Sequence, residues 1–312
     1  MIFTHASNKH STTRHFADDT NLLHIIQKKN RNRNVSRKIN TDLKFLNHWL
    51  LANKISLNST KTELIYFRKI GTNIPENKIK LNGIKLASCS EMKYVGITFD
   101  EHLTFEPHRN ILNAKLKRAN NLLSISRHYV PKELLLQIYY GQFYSHLTYG
   151  CQLWGMSDND NLKTLTQQKK AIRIISFAHF EAHSDPLFKE LKLLKLPDII
   201  KLNNILFVHN VLNNKAPKIF RDYFNILNQH NHNTVNNPNS RYSIPKGSLE
   251  PPKINQHIGK KSIKYACSES WNTTLKDLAK KYPILANNEN WLKDLSISQF
   301  KKLLKYHFLE HY

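Results

Sequence analysis

Thr12-Thr13-Arg14-His15-Phe16-Ala17-Asp18-Asp19-Thr20-Asn21-Leu22-Leu23 decides how this chain is read. Strand-like flanks enclose an aromatic, a small residue and two adjacent carboxylates. The stretch predicts strand, tight turn, strand over residues 12–26. Carboxylates on such a turn can hold divalent metal for phosphoryl transfer. Taken alone, an Asp-Asp pair is weak evidence for this, because such pairs often just cap helices or turns. No Asp or Glu precedes Asp18, so no further carboxylate is expected from that side of the pair.

Working outward, a basic polar loop, Lys28-Lys29-Asn30-Arg31-Asn32-Arg33-Asn34, follows the hairpin. Val35, Ile39, Leu43, Leu46 and Leu50 then recur at helical spacing, which predicts an amphipathic helix ending near Asn53. Residues 63–67 read as a short strand. Asn82-Gly83 between two alternating runs predicts a hairpin over residues 79–86, and residues 92–99 read as one more strand. Beyond residue 100 the period changes to helical. Helices are predicted at 106–127, 131–147, 158–177, 186–195 and 197–213, with Pro107 and Pro131 in first-turn positions and Pro197 at a break. An Asn- and His-rich stretch at 228–240 reads as linker, and two late helices are predicted at 263–281 and 296–309. The fold class is α+β, divided as 1–100 mixed, 101–227 helical, 228–262 linker and 263–312 a C-terminal helical segment.

The 312 residues carry 47 Lys and Arg against 23 Asp and Glu, a formal net charge of +24. Such a balance points to a polyanionic partner and strongly salt-dependent binding. The basic residues are spread along the chain, which favours an extended basic surface over a basic arm. Cys89, Cys151 and Cys267 stand far apart, so neither a zinc knuckle nor a disulfide framework is indicated. A reducing, intracellular compartment is expected, with nucleus and cytoplasm not distinguished. Residues 134–156 lack Asp, Glu, Lys and Arg, but Gln137, Gln142, His146 and Gln152 interrupt them. They read as a buried helix running into a turn, with no membrane partner. His230 and His232 have no third ligand nearby and are assigned no metal.

Further blocks give the hairpin a context. They are Trp49-Leu50-Leu51-Ala52-Asn53-Lys54-Ile55-Ser56-Leu57-Asn58-Ser59-Thr60-Lys61-Thr62, then Lys93-Tyr94-Val95-Gly96-Ile97-Thr98-Phe99-Asp100. Thr148-Tyr149-Gly150-Cys151-Gln152-Leu153-Trp154-Gly155 and Gln168-Lys169-Lys170-Ala171-Ile172-Arg173-Ile174-Ile175 follow. In this order, with Phe16-Ala17-Asp18-Asp19 first, they resemble the C-terminal half of reverse transcriptases from non-LTR (LINE-type) retrotransposons, from about Ser11 to about residue 225.

The resemblance implies a partial palm followed by a thumb-like helical region. Asp18 would be the main metal ligand and Asp19 its helper, with magnesium as the cofactor. Lys61 falls where the family has a palm lysine near the triphosphate, able to neutralise or protonate the leaving pyrophosphate. Tyr94 and Gly96 fall in the element that grips the primer terminus, Gly96 allowing close backbone approach. Lys115, Arg118, Lys169 and Arg173 would meet phosphates of RNA, DNA or an RNA–DNA hybrid without reading sequence. Trp49, Trp154, Tyr139, Tyr140 and Tyr149 are expected in the core rather than as base-stacking platforms.

The family's polymerases also carry a metal-binding Asp on a palm strand upstream of the hairpin, and fingers over the nucleotide. Neither occurs in these 312 residues. The chain is therefore expected to be a fragment, inactive alone, with deoxynucleotides serving only the full-length parent. What remains of the palm sheet should have an unpaired, apolar edge. Two other readings stay open: a non-catalytic, basic RNA- or DNA-binding relic, and a helical structural protein whose Asp-Asp pair is a cap.

Overall fold

A computed structural model describes residues 12–16, 19–25, 33–55, 61–73, 78–156, 161–227, 245–254, 259, 262–283 and 295–312. The fold is mixed helix and strand, compatible with α+β. It divides into two compact units, Met1–Pro107 and His108–Tyr312.

The first unit is organised on helix α1, Arg33–Ala52. The predicted stripe is its buried face, with Ile39, Leu43, Leu46 and Leu50 out of water. Ile39 and Leu43 pack with Ile79, Leu81 and Leu86, and Leu22, Val35, Leu64 and Tyr66 close the cluster. Among the described residues the strands of this unit form four two-stranded ladders rather than one sheet. Strands β1 (Thr12–Phe16) and β2 (Asp19–Leu23) are antiparallel. Strand β3 (Leu64–Ile65) runs parallel to β6 (Ser88–Cys89). Strands β4 (Lys80–Leu81) and β5 (Ile84–Lys85) turn at Asn82-Gly83, both at positive φ, the geometry that Asn-Gly favours. The Asn40 amide serves this hairpin from α1. Its Nδ2 donates to the Lys78 carbonyl at 3.0 Å, and its Oδ1 accepts from the Lys80 amide at 2.9 Å.

The segment predicted as one strand over residues 92–99 is a hairpin. Strands β7 (Glu91–Tyr94) and β8 (Ile97–Asp100) pair antiparallel across Val95-Gly96, where φ is +45° and +78°. A β-branched residue at positive φ goes against its own preference, so the apolar alternation of the sequence conceals the turn.

The second unit is helical. Helix α2, Glu106–Ser126, buries Leu112, Leu116, Ala119 and Leu123 at helical spacing. The predicted helix 131–147 is interrupted. Helix α3 (Lys132–Tyr139) passes through a π-helical turn at Tyr140–Tyr144 into α4 (Ser145–Thr148). Gly150 then adopts the left-handed conformation ahead of α5, Cys151–Trp154. The predicted helix 158–177 is α6, Leu162–Ile175, and 186–195 is α7, Ser184–Glu190. Helix α8, Leu196–Leu212, has Pro197 in its first turn and buries residues all round, from Leu196 and Ile199 to Val208 and Val211. Such a helix belongs in the middle of a bundle, and α4, α5, α6, α9 (Ile263–Lys281) and α10 (Ile297–Glu310) pack on it. Ser262 caps α9, and Ser296 with Gln299 forms a capping box on α10. The predicted linker at 228–240 lies outside the described residues, as do His230 and His232. Among the described residues, no helix is long and apolar enough to cross a membrane.

Gln168 joins three helices of this unit. Its Nε2 donates to the Tyr139 hydroxyl at 3.0 Å and to the Leu194 carbonyl at 2.9 Å. Its Oε1 accepts the Leu196 amide at 2.8 Å, one of the donors that the start of α8 leaves without a helical partner.

Candidate functional site

Asp19 opens β2 opposite Phe16 and is exposed. Ala17 and Asp18 lie outside the described residues, and with Asp18 the expected main metal ligand. The hairpin is held from the α1 side. Leu22 packs on the apolar cluster, and His24 Nε2 lies 3.7 Å from Oδ2 of the wholly buried Asp42. Phe16, Leu23 and Ile25 are exposed. Among the described residues, no three His, Cys, Asp or Glu side chains converge as a metal cluster. The described part of the hairpin offers Asp19 alone toward a divalent cation, too few ligands for a site.

Lys61 is exposed, at the start of the segment leading to β3, and Asn58 lies outside the described residues. Tyr94 is half-buried and pairs with Ile97 across the β7–β8 turn. Gly96 has a nearer role than close approach to a ligand, because its φ of +78° is what the two-residue turn requires. Asp19, Lys61 and the Tyr94–Gly96 turn thus stand on three separate elements of the first unit.

Beyond β8 a compact polar network, not anticipated from the sequence, fixes the end of this unit. The buried Asp100 carboxylate accepts from the amides of Phe105 at 2.7 Å, Thr104 at 3.1 Å and His102 at 3.2 Å, and from the Thr104 hydroxyl at 3.1 Å. Burial works to raise its pKa, but these donors outweigh burial and hold the carboxyl below its ordinary range. Arg68 grips Glu101 with two nitrogens, at 2.8 and 3.2 Å, the fork geometry particular to Arg. The readable signal was Asp100 followed by Thr104, an Asp with a hydroxyl four residues on.

In the second unit, Lys115 and Arg118 are exposed on α2, while Lys169 and Arg173 are half-buried on α6. Arg173 Nε donates to the Ala182 carbonyl at 2.8 Å, so it also ties down the loop after α6. Asn120 Nδ2 bridges the two helices, donating to both the carbonyl and the side-chain oxygen of Gln167 at 3.1 Å. Burial pushes His108 and His146 below the ordinary imidazole range, and Lys115 adds to both. Arg109 adds further to His108.

The block from Tyr149 to Gly155 builds the core. Trp154 is buried and its Nε1 donates to the Tyr149 carbonyl at 2.9 Å, while Arg109 donates to the Trp154 carbonyl at 3.2 Å. A Cβ on Gly155 would lie 2.6 Å from both the Cys151 carbonyl oxygen and Ile200 Cδ1. Tyr139 is buried as expected, whereas Tyr140 and Tyr149 are exposed.

The chain thus joins a mixed helix-and-strand unit, with Asp19 exposed on its first hairpin, to a helical unit with exposed Lys115 and Arg118. The chain is 28% identical over 157 residues to a probable RNA-directed DNA polymerase from transposon X-element of Drosophila melanogaster, covering 49% of this chain and 17% of that protein. It is 33% identical over 132 residues to the RNA-directed DNA polymerase from mobile element jockey of the same fly, covering 41% and 14%. With a probable RNA-directed DNA polymerase from transposon BS of Drosophila melanogaster it shares 29% identity over 122 residues, covering 37% and 13%. No family model matches the chain, and no solved structure matches it. The chain is thus related, over part of its length, to the reverse transcriptases of non-LTR, LINE-type retrotransposons. It spans less than a fifth of the curated relatives it matches, at 13–17% of their length.

Proposed function

We propose that this chain is a portion of an RNA-directed DNA polymerase, running from the carboxylate hairpin of the palm through the thumb. On this reading it holds primer–template but does not complete the polymerisation site alone. The similarity to retrotransposon polymerases carries the reading. Two structural features agree with it. Exposed Phe16, Leu23 and Ile25 give the hairpin an apolar surface that a neighbouring palm strand would bury. Val95, at a φ its side chain disfavours, marks the turn in the primer-gripping block as strained, and strain of this kind collects at working sites.

When bound, magnesium would supply charge compensation at the attacking 3′-hydroxyl and the departing pyrophosphate. Asp18 and Asp19 would hold it together with a carboxylate from a further palm segment. Lys61 would neutralise the leaving group, the Tyr94–Gly96 turn would seat the primer end, and the basic side chains of α2 and α6 would meet phosphates. Primer extension with magnesium and deoxynucleotides tests this. The chain alone should give no product, and addition of an upstream palm-and-fingers segment should restore synthesis that Asp18→Asn abolishes. Synthesis by the chain alone, lost in Asp18→Asn, would refute the claim of dependence.

The basic helices favour a second reading, a non-catalytic nucleic-acid-binding protein. Both readings expect hybrid binding to weaken about 10³-fold or more from low to moderate salt if roughly 6–10 phosphates are engaged. Only the first expects Asp18 to matter in the reconstituted assay.

A further inference from the structure

The second unit exposes several large side chains flanking one cation–ring contact, and neither the core nor the phosphate-binding role uses them. Helices α2 and α6 meet at the Asn120–Gln167 contact. Farther along both, the Arg127 guanidinium sits over the Phe177 ring, 5.2 Å from its centroid. Within three residues of this contact, on one strand of the chain or the other, Tyr129 is 82% exposed and Phe180 72% exposed. Phe177 itself is 50% exposed, and Ile125 on the last turns of α2 is 64% exposed. Large side chains this open, next in sequence to both partners of one cation–ring contact, mark a surface that a ligand can cover.

Charge selects the occupant. From Pro107 to Lys132 the chain has six Lys or Arg and no Asp or Glu, and Leu162–Ile175 has four and none. In the loop that follows, residues 176–183, Glu181 is the single carboxylate. Lys132 pairs with Glu190, but the cations of these two segments still far outnumber their carboxylates, and exposed rings beside them match a polyanion that also presents flat apolar faces. We infer that Tyr129 and Phe180, braced by the Arg127–Phe177 pair, form a stacking platform for unpaired bases of single-stranded nucleic acid. Stacking accepts every base, because every base has a π-face, while the neighbouring cations track the phosphates. A duplex hides its base faces and gains only the phosphate contacts. The inference rests on the reading that this unit holds nucleic acid, and it assigns the unpaired portion of the strand to a particular surface.

The test uses the full chain and three fluorescent probes of equal length: oligothymidylate, an abasic oligomer with the same phosphates, and an RNA–DNA hybrid. Affinities are read by anisotropy. Tyr129→Ala with Phe180→Ala should weaken oligothymidylate binding about ten-fold or more and leave the abasic and hybrid probes unchanged, with the same salt slope. Phe180→Tyr, which keeps the ring, should restore its share of the binding. Lys117→Gln with Arg118→Gln should weaken all three probes alike and flatten the salt slope. An equal loss on the abasic probe, or no loss on oligothymidylate, overturns the platform. Hybrid binding without single-strand binding also overturns it while leaving the phosphate-binding reading intact, and binding to none of the probes removes both. A change in sedimentation of the aromatic variant with single-strand binding preserved would make the patch a contact between copies, and the inference would fall.

Discussion

Two turns of one type differ in a single residue. Asn82-Gly83 and Val95-Gly96 each join a two-residue hairpin with both residues at positive φ. Asn adopts that conformation readily, while a β-branched side chain in it stores on the order of 1–3 kcal/mol. Val95→Asn should therefore stabilise the chain by about 1 kcal/mol, measured as a rise in the urea midpoint at unchanged slope. If the strained turn seats a primer end, the reconstituted polymerase should lose activity in the same variant. At this scale the sequence was informative where side chains follow their own preferences. It revealed Asn82-Gly83 and concealed Val95-Gly96. Asp100 was visible as the last residue of a family block with a hydroxyl four residues on, but the amides that the following chain folds back toward it were not.

Among elements, the α1 stripe and most helices of the second unit were legible, since burial imposes its period directly on the residues. Pairings between distant segments were not. Parallel β3 and β6 are two residues each, too short to show a period. Cys89 on β6 is half-buried, and its Sγ donates to the Leu64 carbonyl at 3.4 Å, a contact that only the fold creates. Burial raises its thiol pKa, Glu63 adds to this, and a backbone hydrogen bond opposes it. Cys151 and Cys267 are buried in helices α5 and α9, and burial pushes both thiols up to about 12. A thiol reagent near pH 8 should modify Cys89 slowly and leave the other two untouched until denaturant is added, as counted by mass spectrometry. Early modification of Cys151 or Cys267 would contradict the packing of α5 and α9 on α8.

For the molecule as a whole, pH is the informative variable. Burial lowers the pKa of His108, His146 and His307, with nearby positive groups adding to each. The unfolded chain therefore binds more protons than the folded one as pH falls through the ordinary imidazole range, near 6.5. Stability should be full above that range and decline on acidification toward pH 5. Asp198 acts in the opposite sense, because burial raises its pKa despite the Tyr312 hydroxyl that donates to it. The histidine contribution is isolated by His146→Gln, which should flatten the decline in melting temperature between pH 7.5 and 5 (about one imidazole's share). An unchanged slope would show that His146 does not titrate differently on folding. The candidate site was legible as far as Asp19 on its hairpin, because adjacent carboxylates between strands are a local pattern. Convergence of further ligands was not, since it depends on how separate segments meet.

The dipeptide that makes the β4–β5 hairpin possible also sets how the protein ages. Asn82 and Gly83 are exposed, and no heavy atom stands within 4 Å of where a Gly83 Cβ would be. With Gly83 uncrowded among the described residues, its nitrogen can attack the Asn82 side-chain carbonyl to close a succinimide and release ammonia. Hydrolysis of that ring to isoaspartate would insert a methylene into a two-residue turn with no room for it. Storage in alkaline buffer should thus loosen the hairpin that Asn40 holds to α1, and peptide mapping of aged samples would find the lesion there first.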